Sequence, residues 1–129
     1  LAVLRSYLLS RSEITALVGS RVARVMPDES ASPRWPALRL TEITTTEIVP
    51  VRLTRMSVQV DAWAASQAVA DNLARLVAAV LRDGEGYVAT GAVLCGVENL
   101  ATSAAPDESV LPIQPRAILT GYVFFRPNP

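Results

Sequence analysis

The chain has 129 residues and a mass of 13.8 kDa, one domain's worth, and 50% of it is apolar at a mean hydropathy of +0.30, which excludes a disordered tail. Twelve Arg offset 12 Asp plus Glu, so the net charge is zero, which argues against a surface that grips nucleic acid or an anionic membrane without specificity. There is no His and no Lys, which removes His triads, His metal ligands, Schiff-base lysines and P-loop lysines, and the single Cys95 forms no internal disulfide.

Taken in chain order, Leu1, Leu4 and Leu8 fall at helical spacing with Arg5 and Ser6 on the other side, which predicts a helix over residues 1–9. Ser12 is expected to cap a short second helical turn carrying Ile14, Leu17 and Val18, which Gly19 stops. Val22–Met26 is expected as a short strand. The next segment, Pro27–Pro36 (PDESASPRWP), reads as a loop because its three prolines suit neither helix nor ladder. Leu38–Thr44 reads as a strand, and Pro50 falls in the hairpin that joins it to the next. Arg52–Trp63 is the clearest strand: Met56, Val58, Val60 and Ala62 point one way, Arg55, Ser57, Gln59 and Asp61 the other.

Ser66 opens the strongest helix, which runs to Arg82 with Gly84 beyond. Val69, Leu73, Leu76, Val77 and Val80 are its expected apolar stripe, and Asp71 with Arg75 its expected ion pair. Ala92–Leu100 reads as a strand with Val93, Cys95 and Val97 on one face. Residues 101–115 read as a second long loop, again with three prolines, and Arg116–Arg126 as the last strand. The expected order is α-β-β-β-α-β-β. It describes one α+β (two-layer α/β) domain over residues 1–129, with a mostly antiparallel sheet, helices packed on one face, and long loops at 27–36 and 101–115.

Chemistry is sparse. The sequence Pro-Asp-Glu-Ser occurs twice, at 27–30 and 106–109. Asp28, Glu29, Asp107 and Glu108 read as two turns, because Pro and Asp suit turn positions; a Ca²⁺ site or a contact with a basic partner is the competing reading. Cys95 reads as a core thiol, with no His to deprotonate it. Asp61 is expected to be solvated or bonded to a loop. Arg52 and Arg55, with Arg39 nearby, read as a solvated or interface face rather than a phosphate site. In the last strand, Leu119, Val123 and Phe125 share one face while Ile118, Tyr122 and Phe124 occupy the other. Apolar groups on both sides require either a covered central strand or a face buried by another subunit. The longest uncharged run, Gly86–Val97, is too short for a bilayer of about 30 Å. The first residues lack a signal-peptide pattern, so no membrane association and a cytoplasmic setting are expected.

Four segments in this order, LRSYLLSRSEITALVGSRV (4–22), WPALRL (35–40), RMSVQVDAWAASQAVADNLARLVAAV (55–80) and AILTGYVFFRP (117–127), resemble the tail-terminator, or tail-completion, proteins of long-tailed bacteriophages and prophages. The resemblance covers nearly the whole chain, and its motifs are packing patterns rather than chemical signatures. It implies a structural protein with no catalytic residue and no cofactor. The implied subunit forms a homo-hexameric ring on the finished tail tube, stops polymerisation and offers a surface to the head connector. The implied place is the virion head–tail junction, assembled in the host cytoplasm, with genomic DNA passing through the channel and not bound specifically. The expected subunit interface is Arg52, Arg55, Ile118, Tyr122 and Phe124, and the acidic loops at Asp28, Glu29, Asp107 and Glu108 are expected partner contacts. Loop 101–115 matches no element of that family. The alternatives are another head–tail adaptor, such as a stopper, or a small ligand-binding or enzymatic α/β domain, which would need a convergent polar pocket.

Overall fold

A computed structural model describes residues 1–50, 52–109 and 112–128. Among them the elements are α1 (Ala2–Ser10), α2 (Ser12–Val18), β1 (Val22–Ala23), β2 (Ala37–Val49), β3 (Leu53–Trp63), α3 (Gln67–Arg82), β4 (Val88–Ala89), β5 (Gly91–Ala104) and β6 (Arg116–Asn128). They form a mixed α+β fold with one six-stranded sheet, ordered β1-β2-β3-β6-β5-β4. Only β1 and β2 are parallel; every other pair is antiparallel. The element order differs from expectation in two places. The second helical turn is a full helix, and β4 is an added strand too short to carry a periodic signal.

Alternation along β3 behaves as read: Met56, Val58, Val60 and Ala62 are buried. On β6, Ala117, Leu119 and Val123 join them, and Phe125 packs alongside. Leu4 and Leu8 of α1, Ile14 and Val18 of α2, and Leu73, Val77, Val80 and Leu81 of α3 complete that cluster. Each such side chain removed from water contributes about 1.5–3 kcal/mol. Tyr7 ties α1 to α3 by donating to the Val80 carbonyl and accepts from Arg11 Nη1 at 3.0 Å. Burial pushes the Tyr7 hydroxyl pKa up.

Several local expectations need correction. Ser12 is not the cap: Arg11 is extended, and its carbonyl accepts from Ile14 and Thr15. Gly19 does end α2, with φ of 58°. Ser66 caps α3 by accepting from the Val69 amide. Val69 itself is 43% exposed; α3 turns Ala70, Ala74 and Ala78 inward instead, and these small residues let the helix lie close to the sheet. Asp71 pairs with Gln67 Nε2 at 2.8 Å, and Arg75 reaches Asn72 at 3.4 Å, so the expected Asp71–Arg75 pair is replaced.

The strands β2 and β5 run further than periodicity marks, and bulges explain why. β2 breaks register between Glu42 and Thr44 and again between Glu47 and Val49. β5 breaks between Leu94 and Gly96 and between Glu98 and Ala101. The first β5 bulge falls on Cys95, which is half-buried rather than a core thiol, while Leu94 takes the core position. The second brings Leu100 over Gly121, where a Cβ would lie 2.5 Å from Leu100 Cδ2 and 3.1 Å from the Glu98 carbonyl. Residues 101–104 pair with β6, so the loop expected at 101–115 starts at Ala105; its residues 110 and 111 lie outside the described ones.

Candidate assembly surface

Strand alternation gives the sheet a second face, opposite the helices. Arg55, Ser57 and Gln59 of β3 stand on it beside Ile118, Thr120, Tyr122 and Phe124 of β6, with Arg55 level with Phe124 and Ser57 level with Tyr122. Ile118, Tyr122 and Phe124 are half-buried, whereas Leu119 and Val123 on the helix side are fully buried. The Arg55 guanidinium lies 4.7 Å from the Tyr122 ring centroid, a cation–π contact that holds the ring in place. Arg52 is exposed in the tight turn before β3, where its amide donates to the Val49 carbonyl.

Arg39 does not join Arg52 and Arg55. It forms an ion pair with Asp61 across the β2–β3 ladder, Nη2 to Oδ2 at 2.5 Å, and Gln59 Nε2 donates to the other carboxylate oxygen at 2.9 Å. Asp61 is fully buried, which overturns the expectation of a solvated carboxylate. The cause is a cover that alternation cannot reveal. Trp63 is on the same face, 1% exposed, with Trp35 from loop 27–36 stacked on it at 5.7 Å and 14°. Guanidinium groups of Arg39 and Arg116 lie over Trp63 at 5.7 and 5.2 Å, and that of Arg34 over Trp35 at 4.5 Å. The available signal was the register itself: Arg39 is level with Asp61, and Arg116 with Trp63.

Loops 27–36 and 105–115 leave the sheet at one end, because they precede Ala37 and Arg116, which both pair with Trp63. The sequence echo within them is a structural echo. Asp28 Oδ1 accepts from the Ser30 amide and hydroxyl, both at 2.9 Å. Asp107 Oδ1 accepts from the Ser109 amide at 3.0 Å and its hydroxyl at 2.5 Å. These bonds hold both carboxyl pKa values below the usual range. Glu29 and Glu108 are exposed. These local bonds make both acidic tetrapeptides turns. Among the described residues no three His, Cys, Asp or Glu side chains gather as metal ligands. No helix among them is long and apolar enough to cross a membrane.

The model of a family described as tail completion protein gp17 matches residues 2–110, most of the chain. The chain belongs to that family. Membership makes it a phage tail morphogenesis protein and a structural virion component. The match runs from α1 through β5 to the second acidic turn, so β6 and its two-sided apolar pattern lie beyond it. No curated protein matches the chain.

Proposed function

We propose that this tail-completion protein closes the finished tail tube as a homo-hexameric ring, halts its polymerisation and presents the surface that the head connector joins. The half-buried row Ile118, Tyr122 and Phe124, capped by Arg55 on a face the helices leave open, carries the reading. Half-buried aromatics with an Arg are the chemistry of a protein–protein contact. Arg52 extends that surface at the hairpin turn. Asp28, Glu29, Asp107 and Glu108, on the two loops that meet the sheet at its Trp63 end, are the contact toward the head side. A neutral chain without Lys leaves DNA free to pass through the ring. The ring sits at the head–tail junction of the virion, after assembly in the host cytoplasm, and performs no catalysis.

The test is Tyr122→Asp. Circular dichroism is expected to show a folded chain, and negative-stain microscopy to show tails without rings and without heads. An unfolded variant would return Tyr122 to the core. A folded variant that still yields normal-length tails joined to heads would refute the role of this face.

A further inference from the structure

The outward edges of β2 and β5 are largely unpaired. β1 reaches β2 only at Leu38 and Arg39, and β4 reaches β5 only at Ala92 and Val93. Among the described residues no strand lies beyond Leu40–Val49 of β2 or beyond Gly96–Ala104 of β5. Neither stretch contains Lys or Pro, and between their bulges the edges keep regular, pairable runs. Thr41–Val49 is exposed throughout, with Ile43, Ile48 and Val49 at 53%, 44% and 41%, and seven of these nine residues are β-branched. The β5 edge ends in the small, exposed run Ala101–Ala104.

The two edges are complementary in direction. Successive neighbours β2, β3, β6 and β5 alternate, so β2 and β5 run oppositely. A second copy set beside the first without inversion brings its β5 antiparallel to the first copy's β2. A two-fold β2–β2 contact would also be antiparallel, but it would leave both β5 edges bare. With a single repeated contact, a head-to-tail arrangement is what covers every edge. The bulges narrow the register further, because they leave just Thr44–Glu47 and Ala101–Ala104 as regular runs of four residues each. Thr44 and Thr46 stand on the open face with Ser57 and Arg55; Ala101 and Ser103 stand there with Thr120 and Ile118. Matching faces allows Thr46 to meet Ala101 or Ser103 and forbids Thr102.

We infer that neighbouring copies join by pairing three residues of Thr44–Glu47 in β2 with three of Ala101–Ala104 in the next copy's β5, extending one antiparallel sheet from subunit to subunit. Either allowed register steps each copy by four or six residues of β3, roughly 14 or 20 Å at about 3.4 Å per residue. Four strands are roughly 19 Å wide at about 4.8 Å each, so the slope falls near the tilt of about 35–45° that closed barrels require. The inference rests on the ring reading above and names the backbone that makes the ring.

The experiment uses the full chain with Cys95→Ser, together with Thr46→Cys and one further cysteine, oxidised on purified tails and run on non-reducing gels. Circular dichroism checks each fold, and facing residues in an antiparallel pair are within disulfide reach. With Ala101→Cys or with Ser103→Cys, most of the chain is expected to move into a ladder of covalent multimers. With Thr102→Cys it is expected to stay monomeric. Should a double variant misfold, chains carrying Thr46→Cys alone mixed with chains carrying the β5 cysteine are expected to give covalent dimers only. Dimers from Thr46→Cys alone would overturn the inference in favour of a two-fold contact. Equal bonding at Thr102→Cys would overturn it as well. Rings visible by microscopy with no bond in either allowed register would overturn edge pairing and leave the ring standing, whereas wild-type tails without rings would overturn both.

Discussion

Replacing Arg39 by Ala strands a carboxylate. Asp61 is fully buried and accepts from Arg39 Nε at 2.7 Å, from Nη2 at 2.5 Å and from Gln59 at 2.9 Å. Taking one partner from a fully sealed pair costs about 3–5 kcal/mol. The Arg39 side chain is 33% exposed, so water screens part of the interaction. The expected cost is therefore about 2–3 kcal/mol. Asp61→Ala is expected to cost less, about 1–2 kcal/mol, because the freed guanidinium can turn to solvent. The double variant is expected to cost less than the sum. Urea titration followed by tryptophan fluorescence suits the test, since both tryptophans of the chain, Trp35 and Trp63, belong to this cluster. With a slope of about 1–3 kcal/mol/M, the Arg39→Ala midpoint is expected to fall by about 1–2 M. Single costs below about 0.5 kcal/mol that simply add would mean a solvated Asp61 and would refute the buried cluster.

Leu73→Ala is expected to destabilise by about 2–5 kcal/mol in a denaturant titration while Val69→Ala is nearly silent; equal effects would put α3 in the wrong rotation. Gly121→Ala is expected to cost about 1–3 kcal/mol by the same assay, and adding Leu100→Ala recovers only part of it, because the Glu98 carbonyl still crowds the new Cβ at 3.1 Å. Glu13 is paired with Arg11 at 2.7 Å, and that bond holds its carboxyl down at about 2 from an ordinary 4.5. A depressed acid stabilises above its unfolded value, so the melting-temperature gap between wild type and Glu13→Gln is expected in full above about pH 4.5 and to close as pH falls through about 2. A gap unchanged at pH 2 would exclude that pairing.

The class of fold was legible because period-two and helical patterns are strong in β3, β6 and α3. The apolar row on the outer face of β6 was legible for the same reason. What the sequence hid was context. Alternation assigns Asp61 and Trp63 to the face opposite Val60 and Ala62 but does not say that Trp35 returns to seal that end. Bulges at Cys95 and Asn99–Leu100 break the alternation that marks a strand, which is why β5 seemed to end early. The inner side of α3 is legible in Leu73, Leu76, Val77 and Val80 but not in Ala70, Ala74 and Ala78, because alanines do not stand out as a stripe, although they are what lets a helix approach a sheet.

The stack of Trp35 on Trp63 also changes what segment 27–36 offers to anything that touches it. Three prolines and an anchored indole, with the Arg21 guanidinium on the Pro36 carbonyl at 2.8 Å, leave this stretch few conformations to lose. A binding surface that is ordered beforehand spares about 0.5–1.5 kcal/mol for each side chain that contact would otherwise immobilise. Asp28 and Glu29 are thus presented by a stiff bracket fixed to the sheet, and contact there selects a ready shape instead of moulding a loose one.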